Sequence, residues 1–495
     1  MGKGKLLSVK MLSTLVIVLF FNCFNGSAQT LEEKYALFHS EILTEFMVPG
    51  LAKGENLPAT YIKPDQQFAK WAEGSIHLGW WIGSLALEYN YIIRFGNRDW
   101  THPLDSVKKR LYLALKAADR IDKQAEIYFP ACTTTGTPSL NGFFIRDDVG
   151  YGLIPKFPGI DSIASDFLGP KESDKEMSQD QAYHLLLGLE LARKFIPPSH
   201  TYNGESLIGL AKSRELEILK WIRRLDWQIT NPVCDDGNGN ERNVARGDDA
   251  RFFSFPLAKL AFTASNGTVD YFGSVNGFYQ LGWEFMADPN SVIFANSDNR
   301  HMAMVLASMS DGWANATQQA LVDHANREGW WVYPLVHTLL HDKKRQIAED
   351  SLRNQLELAP HPIFSPFPDT LTSGWASSHK YISYRSRQNA SDLNSKGRKY
   401  SGVDYLLAFT LLKHAEKATG LAENTVDYDL VLFPNPSTGK MHLSAQGNHK
   451  PEVYNSMGSQ CKVDWNANTQ ELDFGNLKGV FIVRVEGKTA RVLLH

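Results

Sequence analysis

Acidic side chains stand at three places where a predicted loop meets a predicted helix. Asp147 and Asp148 follow an apolar run, Asp180 lies in the first turn of a predicted helix, and Asp249 closely precedes another. Hydrolysis of a glycosidic bond needs two carboxyl groups: one protonates the leaving oxygen, and the other activates water or attacks the sugar. We therefore predict that two of Asp148, Asp180 and Asp249 are the catalytic acid and base.

Each of these positions also has an explanation without catalysis. The adjacent carboxylates of Asp147 and Asp148 repel each other, so at least one needs a cationic partner or a raised pKa. Arg146 is the neighbouring cation and could supply that partner. Asp249 fits equally well in a charged surface loop.

The third position, Asp180, has the strongest alternative explanation. Ser178 and Gln181 have the spacing of a capping box, and an acidic residue in the first turn favours the helix dipole. If helices begin around a shared cleft, however, Asp180 would point into it, with His184 one turn later on the same face. Both interpretations stay open at the sequence level.

Substrate contacts are predicted from cationic, acidic and aromatic residues near these positions. Aromatic residues make up 12% of the chain, which favours core packing for most of them and sugar stacking for some. The residues predicted to contact substrate are Arg146, Asp147, His184, Trp81, Arg251, Trp375, His379 and Tyr400.

Two other functions fit the same residues. A polysaccharide lyase would use histidine, tyrosine and arginine instead of paired carboxylates; its candidates are His184, His379, Tyr400 and Arg251. Its product would carry a new double bond that absorbs ultraviolet light. A surface protein that binds glycan or protein without catalysis would use the aromatic residues alone.

No cofactor or metal is predicted. The segment 235–241 begins like a calcium loop, but Gly247 stands where the bidentate glutamate belongs. His337 and His341 are one helical turn apart, but Thr338 replaces the glutamate of a zincin site. A Cys132–Cys234 disulfide is allowed by an extracellular location but is not determined by spacing.

Apolar residues recur at helical spacing through most of the chain. The predicted helical segments are 31–46, 66–95, 106–124, 178–195, 205–227, 254–263, 300–309, 317–340, 346–358 and 403–418. This part of the chain resembles the six-hairpin glycosidase-like proteins. The resemblance rests on the number of helices and on the segments Gly142–Asp148, Met177–Gln181 and Tyr400–Tyr405. That resemblance implies an α/α toroid with its active site at the loop end; an irregular helical fold is the alternative.

The last segment changes to strand periodicity. Phe481, Val483 and Val485 alternate with Val480, Ile482 and Arg484, and turn residues recur between short runs. The runs Val431–Gly439, Val453–Gly458 and Leu477–Gly487 resemble the type A C-terminal sorting domain of the type IX secretion system. The resemblance implies a small β-sandwich that is recognised by the secretion machinery, and an extracellular or cell-surface protein of a Gram-negative bacterium.

The N-terminal segment agrees with export. Lys3, Lys5 and Lys10 precede an apolar run at 11–24 and small residues at 26–28, the pattern of a secretory signal peptide. We predict a signal peptide at 1–28, a helical α/α toroid domain at 29–424 and a sorting domain at 425–495. The net charge of −3 argues against a nucleic-acid partner, and we predict no transmembrane segment in the mature chain. The predicted partners are the secretion machinery and a poly- or oligosaccharide substrate.

Overall fold

A computed structural model gives the fold. It describes residues 29–71, 74–96, 102–129, 140–170, 175–229, 232–234, 241–243, 248–277, 279–280, 283, 297–310, 323, 325, 329–341, 346–364, 397–420, 432–433, 439–443, 451–455, 460–466, 469, 471–475, 477–485 and 488–494. The chain divides into two compact units, Met1–Ala415 and Glu416–His495. The predicted signal peptide lies outside the described residues.

The first unit is mainly helical, as the periodicity predicts. Its helices are α1 Leu31–Glu41, α2 Gly74–Phe95, α3 Leu104–Tyr128, α4 Gln179–Phe195, α5 Leu207–Arg224, α6 Ser254–Ala264, α7 Ser297–Met309, α8 Val332–Leu340, α9 Gln346–Leu358 and α10 Val403–Gly420. A π-helical turn, Ile42–Phe46, extends α1. Thr30 and Glu33 form a reciprocal capping box at the start of α1, which accounts for the position of that start.

The helices are of two kinds. Almost every residue of α2, α4 and α8 is buried, whereas α3 and α5 bury one face only. Helix α2 packs against α3 and α4, α4 packs against α5 and α7, and α7 packs against α8. Buried helices covered by amphipathic ones are compatible with the predicted toroid, which stays a prediction.

A small sheet accompanies the helices of the first unit. It contains β1 Tyr61–Lys63, β2 Phe68–Trp71, β3 Ser162–Ser165 and β4 Lys399–Tyr400, in the order β4-β1-β2-β3. β1 is antiparallel to β2 and β4, and β2 is parallel to β3. The predicted helix from residue 66 is therefore wrong at its beginning: Phe68–Trp71 is a strand, and α2 begins at Gly74.

The second unit contains two four-stranded antiparallel sheets. Its strands are β5 Leu432–Phe433, β6 Lys440–Leu443, β7 Glu452–Asn455, β8 Gln460–Cys461, β9 Asp464–Asn466, β10 Glu471–Asp473, β11 Gly479–Val485 and β12 Lys488–Leu494. The sheet orders are β5-β6-β10-β9 and β8-β7-β11-β12. Met441 and Leu472 of one sheet share an apolar core with Val453, Val483 and Val492 of the other. This arrangement follows from the alternating apolar residues of strands that bury one face.

Among the described helices, none combines the length and the apolar character that crossing a bilayer requires.

Two glycines determine how closely α2 and α4 approach. A Cβ atom on Gly79 would lie 2.2 Å from the carbonyl oxygen of His184, and one on Gly188 would lie 2.0 Å from that of Gly79. Any side chain at either position would overlap backbone atoms, which cannot rotate away as a flexible side chain can. The crossing of these two helices therefore requires glycine on both sides.

We expect Gly188→Ala to lower the free energy of unfolding by about 1–3 kcal/mol, because overpacking forces the helices apart. The better helix propensity of alanine, worth about 1 kcal/mol, offsets only part of this loss. Urea denaturation measures the change. Gly152→Ala is the matched control, because a Cβ atom there meets nothing within 4 Å. Equal stability of the two variants would contradict the close-contact explanation.

His414 is a fully enclosed histidine of α10. Its Nε2 atom lies 2.8 Å from the carbonyl oxygen of Leu87, and its ring packs against Tyr91 and Phe195. Burial, with a smaller contribution from Arg94, lowers the pKa of His414 to about 4. The unfolded chain therefore binds a proton at this residue between pH 4 and its ordinary pKa of 6.5, while the folded chain does not.

Stability contributed by neutral His414 is present above pH 6.5 and is lost as pH falls towards 4. We expect the wild-type free energy of unfolding to fall by about 3 kcal/mol more than that of His414→Gln over this interval, from 1.36 kcal/mol per pKa unit. Urea denaturation at several pH values measures both. Buried His39 contributes in both proteins, so only their difference reports on His414. Parallel pH profiles would disprove the assignment.

Candidate functional site

Polar aromatic side chains from the first two turns of four helices meet inside the first unit. We call His77, Trp80, His184, His301 and Tyr333 the histidine cluster. His77 and Trp80 belong to α2, His184 to α4, His301 to α7 and Tyr333 to α8. The amino-terminal end of a helix carries partial positive charge, so these elements bring positive helix ends towards one region.

The cluster is connected by short contacts. Trp80 Nε1 donates a hydrogen bond to His184 Nδ1 at 3.0 Å, and the rings of His184 and His301 lie 5.1 Å apart. His301 Nε2 and the hydroxyl of Tyr333 are 2.7 Å apart. The ring of His77 stacks on Trp80 at 5.6 Å. The five side chains therefore form one continuous polar group.

The contacts define protonation states. The indole N–H of Trp80 can only donate, so His184 Nδ1 accepts, and a neutral His184 carries its proton on Nε2. Burial, and secondly the negative charge of Asp404, raise the pKa of Tyr333 well above its ordinary value. Tyr333 therefore keeps its phenolic proton at neutral pH and is a proton donor.

Asp148 has a structural partner. It is fully buried, and Arg120 Nε donates to its Oδ2 at 2.7 Å while the backbone N–H of Gly54 donates to its Oδ1 at 3.1 Å. These bonds connect α3 and the loop at residues 54–55 to the segment that contains Asp147 and Asp148. They explain a buried aspartate at this position without catalysis, and the catalytic role of Asp148 stays a prediction.

The expectation that Arg146 partners the adjacent acids is wrong. Its Nε atom donates to the carbonyl oxygen of Glu176 at 2.8 Å, and its closest carboxylate is Asp166 at 3.8 Å. Asp147 is instead held by two backbone N–H groups, those of Val149 and Asp166, each at 2.9 Å. Burial and the charge of Asp166 raise the pKa of Asp147 well above its ordinary value. Asp147 adjoins the start of α2, where a Cβ atom on Gly74 would lie 3.1 Å from its Cβ.

Asp180 is partly exposed at the start of α4. It accepts hydrogen bonds from the hydroxyl of Ser178 and, at 3.0 Å, from the backbone N–H of Gln181. Ser178 occupies the N-cap position but makes no capping hydrogen bond, so the predicted capping box does not form. Its hydroxyl is used by Asp180 instead. Asp180 therefore stays accessible one turn before His184.

Three other predicted site residues, Trp81, Tyr400 and Arg251, have described contacts with residues outside the cluster. Trp81 is buried on α2 with its ring 5.3 Å from His39, and Tyr400 is buried in the sheet opposite Tyr61. Arg251 lies over the ring of Tyr279. Asp249 forms a short strand with Gln228, and its side chain is outside the described residues. The side chains of Trp375 and His379, and those of the possible Cys132–Cys234 disulfide, also lie outside the described residues.

Sequence reasoning found only His184 of the histidine cluster. His301, Tyr333, His77 and Trp80 were missed because isolated aromatic residues inside helical patterns usually pack in a core. A usable signal existed: polar aromatics recur within the first two turns of several buried helices. His337 and His341, rejected as zinc ligands, have ring centres 4.7 Å apart on and just after α8. A separate trio, His39, Glu88 and His102, has metal-ligand geometry.

The comparisons with known proteins concern the second unit. Residues 431–493 match the family model described as the secretion system C-terminal sorting domain. No curated protein and no solved structure matches the chain. The matched domain supports what the sequence implied: the protein is a cargo of the type IX secretion system and is secreted or held at the cell surface of a Gram-negative bacterium.

The structural role of Asp148 has a direct test. We expect Asp148→Asn to lower the free energy of unfolding by about 3–5 kcal/mol, because it leaves Arg120 without its buried counter-charge. Thermal and urea denaturation measure the change. The exposed residue Asp161 supplies the control, and Asp161→Asn should stay within about 0.5 kcal/mol of wild type. Wild-type stability of Asp148→Asn would instead leave the acid free for a catalytic role.

Proposed function

We propose that the first unit is a carbohydrate-active enzyme that cleaves an acidic polysaccharide by β-elimination. The observation that carries the proposal is the 2.7 Å contact between His301 and Tyr333, next to His184, at the starts of buried helices. The sorting domain supports export, which makes an extracellular polymer a suitable substrate class. Lyase chemistry needs a histidine or tyrosine base and a proton donor, and both stand in this cluster.

The residues can complete a proton cycle. His301 would take the proton from the carbon next to the uronate carboxyl, and the carbon–oxygen bond to the leaving sugar would break as the double bond forms. Tyr333 would protonate the leaving oxygen. The proton on His301 would then return to the Tyr333 oxygen across the 2.7 Å contact, restoring both groups. The raised pKa of Tyr333 keeps the phenol protonated before each turnover.

The helix ends favour an anionic substrate over a neutral one, and the negative charge of Asp404 near Tyr333 opposes that preference. The first two turns of α2, α4, α7 and α8 supply the cluster, and helix amino-terminal ends attract negative charge. A neutral His184, whose Nε2 carries the proton, could donate a hydrogen bond to the uronate carboxylate. A carboxylate substrate is also what β-elimination requires, since the carboxyl group acidifies the adjacent C–H bond.

The burial of these side chains supports a competing interpretation, in which they only stabilise the core. His184 is 0% exposed, and His301 and Tyr333 are each 2% exposed, so a polymer reaches them only after neighbouring segments move. A hydrogen-bonded core would show the same contacts without any turnover. The two interpretations predict different effects of removing the Tyr333 hydroxyl: loss of activity if the cluster is catalytic, and loss of stability alone if it is a core.

Hydrolysis is the second candidate, and the accessibility of Asp180 favours it. This carboxylate is partly exposed at the start of α4, one turn before His184. Asp249 would be the second catalytic carboxylate, as the sequence predicts. A hydrolase would release new reducing ends without a double bond, so one product assay separates the two reactions.

The test is turnover of uronate-containing polysaccharides by the purified mature protein, followed by ultraviolet absorbance and reducing-end release. We expect both signals to rise together in wild type. Tyr333→Phe should lower turnover by about 10²–10⁴-fold, the range for loss of a general acid or base. Tyr405→Phe is the matched control: it also removes a buried hydroxyl, one that bonds the Leu31 carbonyl oxygen at 3.3 Å, and should keep activity.

Other outcomes are equally informative. Reducing ends without ultraviolet absorbance, together with loss of activity in Asp180→Asn, would replace elimination by hydrolysis. Activity that survives Tyr333→Phe unchanged would remove the cluster from catalysis. Glycan binding without turnover of any bound sugar would favour the non-catalytic alternative.

A further inference from the structure

A second group of polar side chains lies against a different part of α2. His39 of α1, Glu88 of α2 and His102, which precedes α3, each offer one ligand atom, and these atoms lie within 4.8 Å of one another. We call these residues the His–Glu–His trio. They come from three separate parts of the chain, and no sequence motif connects them.

The distances lie on both sides of the ligand–ligand separation of a metal site, and none exceeds 4.8 Å. Glu88 Oε1 lies 3.0 Å from His102 Nδ1, and Glu88 Oε2 lies 3.9 Å from His39 Nε2. Two ligands of a tetrahedral zinc ion, each about 2.1 Å from the metal, are separated by about 3.4 Å. Small side-chain rotations would therefore bring all three ligand atoms onto one ion.

We propose that His39, Glu88 and His102 bind a divalent transition metal ion of the zinc type. Two imidazoles and one carboxylate match the ligands that zinc prefers, and three protein ligands leave the fourth position for water. The site is distinct from the histidine cluster, and the proposal is independent of the enzymatic function proposed above.

The surroundings supply the outer contacts that such sites use. The hydroxyl of Tyr35 donates to Glu88 Oε2 at 2.8 Å, which orients the carboxylate. His102 is 15% exposed at its side chain and gives the ion a route of entry.

One neighbouring cation opposes the metal. A guanidinium nitrogen of Arg110 lies 3.3 Å from His39 Nε2. Arg110 therefore occupies the position that a metal ion bound to His39 Nε2 would take. Arg110 is partly exposed and can move towards solvent. Its removal should therefore strengthen metal binding, which is the opposite of what loss of a structural core residue would do.

The experiment titrates chelator-treated full-length mature protein with Zn²⁺ and, separately, with Co²⁺. Calorimetry should show one saturable zinc site per chain, and Co²⁺ should give visible absorption bands of low-symmetry coordination. His102→Ala should weaken zinc binding by at least about 100-fold and remove the cobalt bands, and Tyr35→Phe should weaken it by about tenfold, as expected for an outer-contact residue. Circular dichroism verifies that each variant is folded.

Two further variants control the result. His200→Ala removes a similarly part-exposed histidine that also contacts α2, through the Tyr89 hydroxyl at 2.6 Å, and should keep the zinc affinity. Arg110→Met should tighten zinc binding by about tenfold, because it removes a positive charge beside the ion. Absence of a stoichiometric site, unchanged binding in His102→Ala, or weaker binding in Arg110→Met would each overturn the proposal.

Discussion

The close approach of α2 and α4 at Gly79 and Gly188 is the constraint on which the interior of the first unit depends. A Cβ atom at either glycine would lie 2.2 Å or less from a carbonyl oxygen of the opposite helix. Because the backbones meet there, Trp80 on one helix comes within 3.0 Å of His184 on the other. That bond assigns the proton of neutral His184, and α4 then brings His184 to α7 and its His301. A wider separation would break this sequence of contacts at its first step.

Helices were predictable from sequence where apolar residues kept helical spacing over several turns. Helix α9 was predicted at 346–358, the bounds found, and α4 began within one residue of its expected start. Failure came where two periodicities overlap. Phe68–Trp71 precedes α2 closely enough that its apolar residues extended the helical pattern, although strand pairing with β1 and β3 decides their conformation. Pairing partners distant in sequence are not visible in a local window.

The candidate site was less predictable than the fold, and charge explains why. Sequence reasoning favoured clustered acids, but a buried carboxylate requires compensation that only the three-dimensional structure reveals. Asp148 has Arg120, 28 residues earlier, and Asp147 has two backbone N–H groups. Arg146, the obvious partner by proximity in sequence, is committed to Glu176 and Asp166. The tyrosine and histidines that do contact each other are far apart in the chain and carry no motif.

Helix α2 belongs to both groups of polar side chains, and its geometry separates them. Trp80 and Trp81 are neighbours in sequence, but successive residues of a helix point about 100° apart. Trp80 therefore contacts His184, while Trp81 packs against His39. Glu88 follows Trp81 by about two turns and lies on the same face, so its carboxylate meets His39 and His102. One helix thus contributes to the histidine cluster on one face and to the His–Glu–His trio on another, and no side chain is shared between the two.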